Sequence, residues 1–114
     1  MPETQTGKIL RVHVSEHDQY KGKPLYEAIV QKCRELQIAG ATVFKGLEGY
    51  GETAEIHRAH LIGHDLPILI TIVDSEAQML KLIPVLDEML DTGLMAISDV
   101  EMIRFQGNSR DHHA

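Results

Sequence analysis

Leu66-Pro67-Ile68-Leu69-Ile70-Thr71-Ile72-Val73 is apolar at nearly every position. In an extended chain Ile68, Ile70 and Ile72 share one face, and Leu69 and Val73 share the other. A strand with two apolar faces belongs in the middle of a sheet, covered on both sides. The rest of the chain can be placed around it.

Downstream, Asp74-Ser75 opens a helix, and Ser75 with Gln78 three residues on has the capping-box pattern. Leu80, Ile83, Leu86, Met89 and Leu90 are expected to form its apolar face. Met79, Leu82, Met89 and Met95 read as core fillers rather than a partner groove. Pro84 removes one backbone hydrogen bond inside the helix and predicts a kink. Thr92-Gly93 closes the helix, and Ile97 to Phe105 reads as the last strand.

Upstream, Ala41 to Leu47 reads as a strand. It leads into Gly46, Gly49 and Gly51 around Tyr50, and then into a histidine-bearing segment. The connection back to Leu66 is too long for a tight hairpin, and long excursions inside compact domains commonly carry function. Earlier still, Pro24 suits a first helical turn. Leu25, Ala28, Ile29, Cys33 and Leu36 follow at helical spacing, with Gly40 supplying the flexible position after the helix. Lys8 to Val14 alternates, with Leu10, Val12 and Val14 on one face and Arg11 and His13 on the other. Residues 15–23 read as a polar loop. Residues 1–7 and 107–114 are expected to be flexible.

The order β-α-β-β-α-β over 114 residues predicts one α+β domain. It is a ferredoxin-like sandwich, a four-stranded antiparallel sheet with both helices on one face and a long loop between strands two and three. Strands one and three are then central, and strands two and four are edges. The second face of the sheet has no helix, so Leu69 and Val73 call for cover from another subunit.

The net charge of −6 argues against nucleic acid as a partner. Cys33 is the single cysteine; it rules out an internal disulfide and reads as a small buried hydrophobe. The first residues lack the apolar stretch of a signal peptide, and no segment reaches the roughly 20 apolar residues of a membrane span. A cytoplasmic protein is expected.

Three constellations are candidates for chemistry. Gly46, Gly49 and Gly51 fit either a plain turn or a backbone nest for an anion; they make neither a Walker loop nor a dinucleotide fingerprint. His57, His60 and His64 would share one helical face and could ligate zinc or copper. Solvated loop residues, or one of them touching a bound ligand, fit the pattern better. No spacing pairs a nucleophile with a base, and a non-enzyme is expected.

Tyr20-Lys-Gly-Lys-Pro-Leu-Tyr-Glu-Ala-Ile-Val30, Ala39-Gly-Ala-Thr-Val-Phe44, Gly49-Tyr-Gly51, Ile56-His57 and Asp65-Leu-Pro67 together resemble the family called domain of unknown function 190. That family is similar to the PII-like signalling proteins, which are trimers of ferredoxin-like subunits with a long T-loop. The resemblance implies a homotrimeric regulator whose inter-subunit clefts hold a small anionic ligand, an adenine nucleotide. It places Gly40, Ala41 and Thr42 on the adenine side and Gly49, Tyr50 and Gly51 at the phosphates, with His57 and Arg104 as further contacts. Leu94 stands where PII proteins have a phosphate-binding Lys, and the paired arginines after the last strand reduce to Arg104 and Arg110. AMP or ADP therefore fits better than ATP. The resemblance also implies a transporter or channel as the target, reached through residues 48–64. The alternative is a metal-binding trimer similar to CutA, with His57, His60 and His64 as its copper or zinc ligands.

Overall fold

The computed structural model describes residues 3–48 and 65–105. Along the chain lie β1 (Glu3–Ser15), β2 (Gln19–Tyr20), β3 (Lys23–Pro24) and α1 (Leu25–Glu35). β4 (Gly40–Lys45), β5 (Pro67–Asp74), α2 (Glu76–Met89) and β6 (Leu94–Arg104) follow. Four strands form one antiparallel sheet in the order β4-β5-β1-β6. The ferredoxin-like arrangement expected from the sequence is the observed one, with the apolar strand β5 and β1 in the centre.

Alternation sets the core. Leu10, Val12 and Val14 of β1 and Ile68, Ile70 and Ile72 of β5 are all buried. They pack with Leu25, Ala28, Ile29 and Cys33 of α1 and with Met79, Leu82, Leu86 and Met89 of α2. The buried stripe of α2 differs from the expected one. Leu80 is 67% exposed, because one residue on from Met79 it lies about 100° further round the helix. Pro84 sits inside α2, which continues to Met89.

The start of α2 has half of the expected capping box. Ser75 Oγ accepts from the Gln78 N–H at 3.3 Å. The Gln78 side chain does not turn back. Its Nε2 donates to the Leu36 and Gln37 carbonyls at 3.2 and 3.4 Å, at the far end of α1. The end of α1 also differs from expectation. Gln37, not Gly40, takes the left-handed conformation, with φ of 58°. Gln37 N–H donates to Arg34 O and Ile38 N–H to Cys33 O, both at 3.0 Å. That pair of bonds is a Schellman motif, and it frees Gly40 to begin β4.

Of the residues expected to be loose, Glu3 to Gly7 are strand. Glu3 to Gly7 pair with Val100 to Arg104, whereas β5 joins β1 only from Lys8 onward. A two-stranded ribbon therefore runs on past the four-stranded sheet. Backbone pairing to the long β6, not apolar patterning, orders these polar residues. Residues 106–114 lie outside the described residues. The polar loop also holds a small hairpin, β2–β3, turned by Lys21 (φ 49°) and Gly22 (φ 84°). Successive positive φ values are what a two-residue hairpin turn needs.

The second face of the sheet carries Ile9, Arg11 and His13 of β1 beside Leu69, Thr71 and Val73 of β5. Register brings Phe44 beside Leu69, Thr42 beside Thr71, Ala96 beside Arg11 and Leu94 beside His13. Phe44 and Leu94, on the two edge strands, are 52% and 53% exposed. Both described helices pack on the opposite face.

Candidate functional site

Gly40, Ala41 and Thr42 open edge strand β4, in register with Val73, Ile72 and Thr71. Asp74 fixes where that strand begins. Its carboxylate is buried at the end of β5 and accepts from the Ala39 N–H at 2.8 Å and the Ser75 N–H at 2.7 Å. One side chain thus sets both the entry to β4 and the entry to α2. Gly40 is exposed, and the space a Cβ would occupy there is open within 4 Å. Ala41 turns toward the helices, while Thr42 is exposed on the helix-free face.

Arg104 ends β6, exposed and in register with Glu3. Strands β5 and β1 stand between β4 and β6. The chain therefore brings Gly40, Ala41 and Thr42 together and leaves Arg104 on the opposite edge. Gly49, Tyr50, Gly51, His57, His60 and His64 lie outside the described residues. Among the described residues no three His, Cys, Asp or Glu are grouped to hold a metal. No described helix is long and apolar enough to cross a membrane.

Where the connection between β4 and β5 leaves and re-enters the sheet, the structure adds residues that sequence reasoning did not single out. Lys45 Nζ lies 2.7 Å from Glu16 Oε2. The hydrogen bond from Lys45, then that from the Leu66 N–H, holds the Glu16 carboxyl below its ordinary range, and Glu16 in turn raises Lys45. The Ser15 hydroxyl donates to Asp65 Oδ1, and His17 Nδ1 lies 3.2 Å from the same oxygen. Asp18 accepts from the Ser15 N–H at 2.9 Å. Gly46 N–H donates to Pro67 O at 2.8 Å. A Cβ on Gly46 would sit 2.8 Å from Pro67 Cγ, so glycine is what lets the two ends of the connection approach this closely. The available signal was local: a run of polar residues, Ser15 to Asp18, directly after an apolar strand.

The strand order and the placement of the two described helices define a ferredoxin-like α+β domain. The chain belongs to the DUF190 family, described as "Uncharacterized ACR", whose model matches residues 7–102. A UPF0166 protein of Aquifex aeolicus is 35% identical over 100 residues, covering 84% of this chain and 92% of that one. A UPF0166 protein of Methanocaldococcus jannaschii is 32% identical over 102 residues, covering 85% and 92%. Among solved structures, the apo form of CPII from Thiomonas intermedia K12, a nitrogen regulatory PII-like protein, superposes with a TM-score of 0.65. The identity is 14%, with 91% of this chain and 99% of that one covered. The same protein bound to ADP, AMP and bicarbonate gives a TM-score of 0.63 at 14% identity, covering 88% and 98%. A PII-like signaling protein from Thermus thermophilus gives 0.62 at 14%, covering 89% and 92%. At these identities the solved structures establish the shared fold.

Proposed function

We propose that this protein is a non-catalytic, cytoplasmic regulator that assembles as a trimer. It holds an adenine nucleotide, AMP or ADP in preference to ATP, in clefts between its copies. Residues 48–64 carry the ligand state to a target protein, a membrane transporter or channel. The observation that carries the reading is the separation of its candidate ligand residues. Gly40, Ala41 and Thr42 lie on one edge of the sheet and Arg104 on the other. They can serve one ligand only if the β4 edge of one copy meets the β6 edge of another. The exposed Phe44 and Leu94 on those same edges favour such a meeting. The CPII structure bound to ADP, AMP and bicarbonate supports the choice of ligand class by analogy of fold.

Titration calorimetry with AMP, ADP and ATP tests the reading. Saturable heat is expected with AMP or ADP and is expected to weaken on Thr42→Val or Arg104→Ala. No heat and no thermal shift with any of the three would refute the nucleotide-sensor reading. A ligand can shift a segment between two states only by its difference in affinity for them. Binding is therefore also expected to change amide exchange within residues 48–64.

A further inference from the structure

Residues 46–66 join β4 to β5, and both feet of that connection rest on one side chain. At the first foot, Lys45 ends β4 and contacts Glu16 Oε2. At the second, the Leu66 N–H donates to Glu16 Oε1 at 3.2 Å, and the Glu16 N–H donates back to Leu66 O at 3.0 Å. The Glu16 side chain is only 17% exposed. Its neighbours in the turn, Ser15 and His17, hold Asp65, the residue before Leu66. An isolated surface ion pair stabilises little. Here the carboxylate divides its two oxygens between two segments far apart in sequence, and the geometry matters more than the energy.

We infer that Glu16 is a positioning residue that clamps the two feet, fixing how the chain leaves β4 and enters β5. Lys45 supplies the charge at one foot, and the Leu66 backbone supplies the hydrogen bond at the other. Among the described residues, Lys45 and His17 are the charged or titratable groups that act on Glu16. The importance of the clamp for signalling rests on the proposed role of residues 48–64; the clamp itself rests on these contacts. The competing account is that the Gly46–Pro67 backbone bond holds the feet unaided.

Amide hydrogen exchange without nucleotide separates the two accounts. Glu16→Ala is expected to speed exchange at both Gly46 and Leu66 by about tenfold, the scale of one lost hydrogen bond. Lys45→Met is expected to speed Gly46 and spare Leu66. Glu16→Gln keeps an oxygen for the Leu66 N–H and is expected to follow Lys45→Met, a rescue confined to one foot. Lys32→Met removes the Lys32–Glu35 pair on α1 and is expected to change neither amide. The inference is overturned if Glu16→Ala leaves both amides within about twofold of wild type. It is equally overturned if Lys32→Met has the same effect as Lys45→Met. If Glu16→Ala does not fold, Lys45→Met and Glu16→Gln carry the test by the Gly46 criterion. Absence of nucleotide binding would leave these results unaffected, and nucleotide binding beside unchanged exchange in Glu16→Ala would remove the clamp alone.

Discussion

At the scale of single residues, Cys33 has a consequence that pH can read. It is buried in the core on α1, and burial pushes its thiol up from about 9 to about 11. The folded chain keeps the proton after the unfolded chain has begun to release it. The contribution is therefore complete below pH 9 and is lost as pH rises toward 11. Urea unfolding of wild type at about pH 8 and about pH 10.5 should show a larger loss than the same comparison on Cys33→Ala. Equal losses would contradict the burial argument. Below pH 9 the thiol should also be slow with disulfide reagents, since the thiolate is the reactive form. Gly93 illustrates the opposite kind of constraint. With φ of 139°, and His13 O only 3.0 Å from where a Cβ would stand, it holds the turn into β6 in a conformation few side chains can share.

At the scale of elements, α2 is tied at its start by Ser75 and tied to α1 by Gln78. Ser75→Ala should cost about 1 kcal/mol, the ordinary size of an N-cap, read by chemical denaturation. Gln78→Ala keeps the N–H that Ser75 accepts and removes only the bonds to the Leu36 and Gln37 carbonyls, so its cost should add nearly in full to that of Ser75→Ala, which a double-mutant cycle checks. This part of the fold was only partly legible. The Ser75–Gln78 spacing announced the cap correctly. The reach of Gln78 to the Leu36 and Gln37 carbonyls depends on helix packing that no local pattern encodes. The strands β1, β4 and β5 were legible because alternation, or its absence, is written directly in side-chain polarity. The ribbon Glu3–Gly7 with Val100–Arg104 was not, because backbone pairing alone orders polar residues. The left-handed position fell at Gln37 rather than Gly40 because the helix ended earlier, at Glu35. For the candidate site, Gly40, Ala41 and Thr42 were legible as the start of a strand. The roles of Asp74 and Glu16 emerge only when segments distant in sequence meet.

At the scale of the whole molecule, a four-stranded sheet with helices on one face leaves two edges and one face to other surfaces. Phe44 sits where an edge and the open face coincide. Phe44→Asp is expected to reduce the proposed trimer to a monomer near 12.8 kDa by light scattering. Leu80→Asp, on the exposed side of α2, should leave the assembly intact. If both variants behave alike, the open face is not the contact. The connection between β4 and β5 bears on a different property. The strands it joins are already neighbours, held by their own ladder and by the Gly46–Pro67 bond. Its two ends meet whatever lies between them, and doubling such a loop costs only about 0.6 kcal/mol in closure entropy. If that connection carries recognition, as proposed, its sequence can be lengthened, shortened or exchanged over evolutionary time with little penalty to folding. One scaffold can in this way come to address many targets.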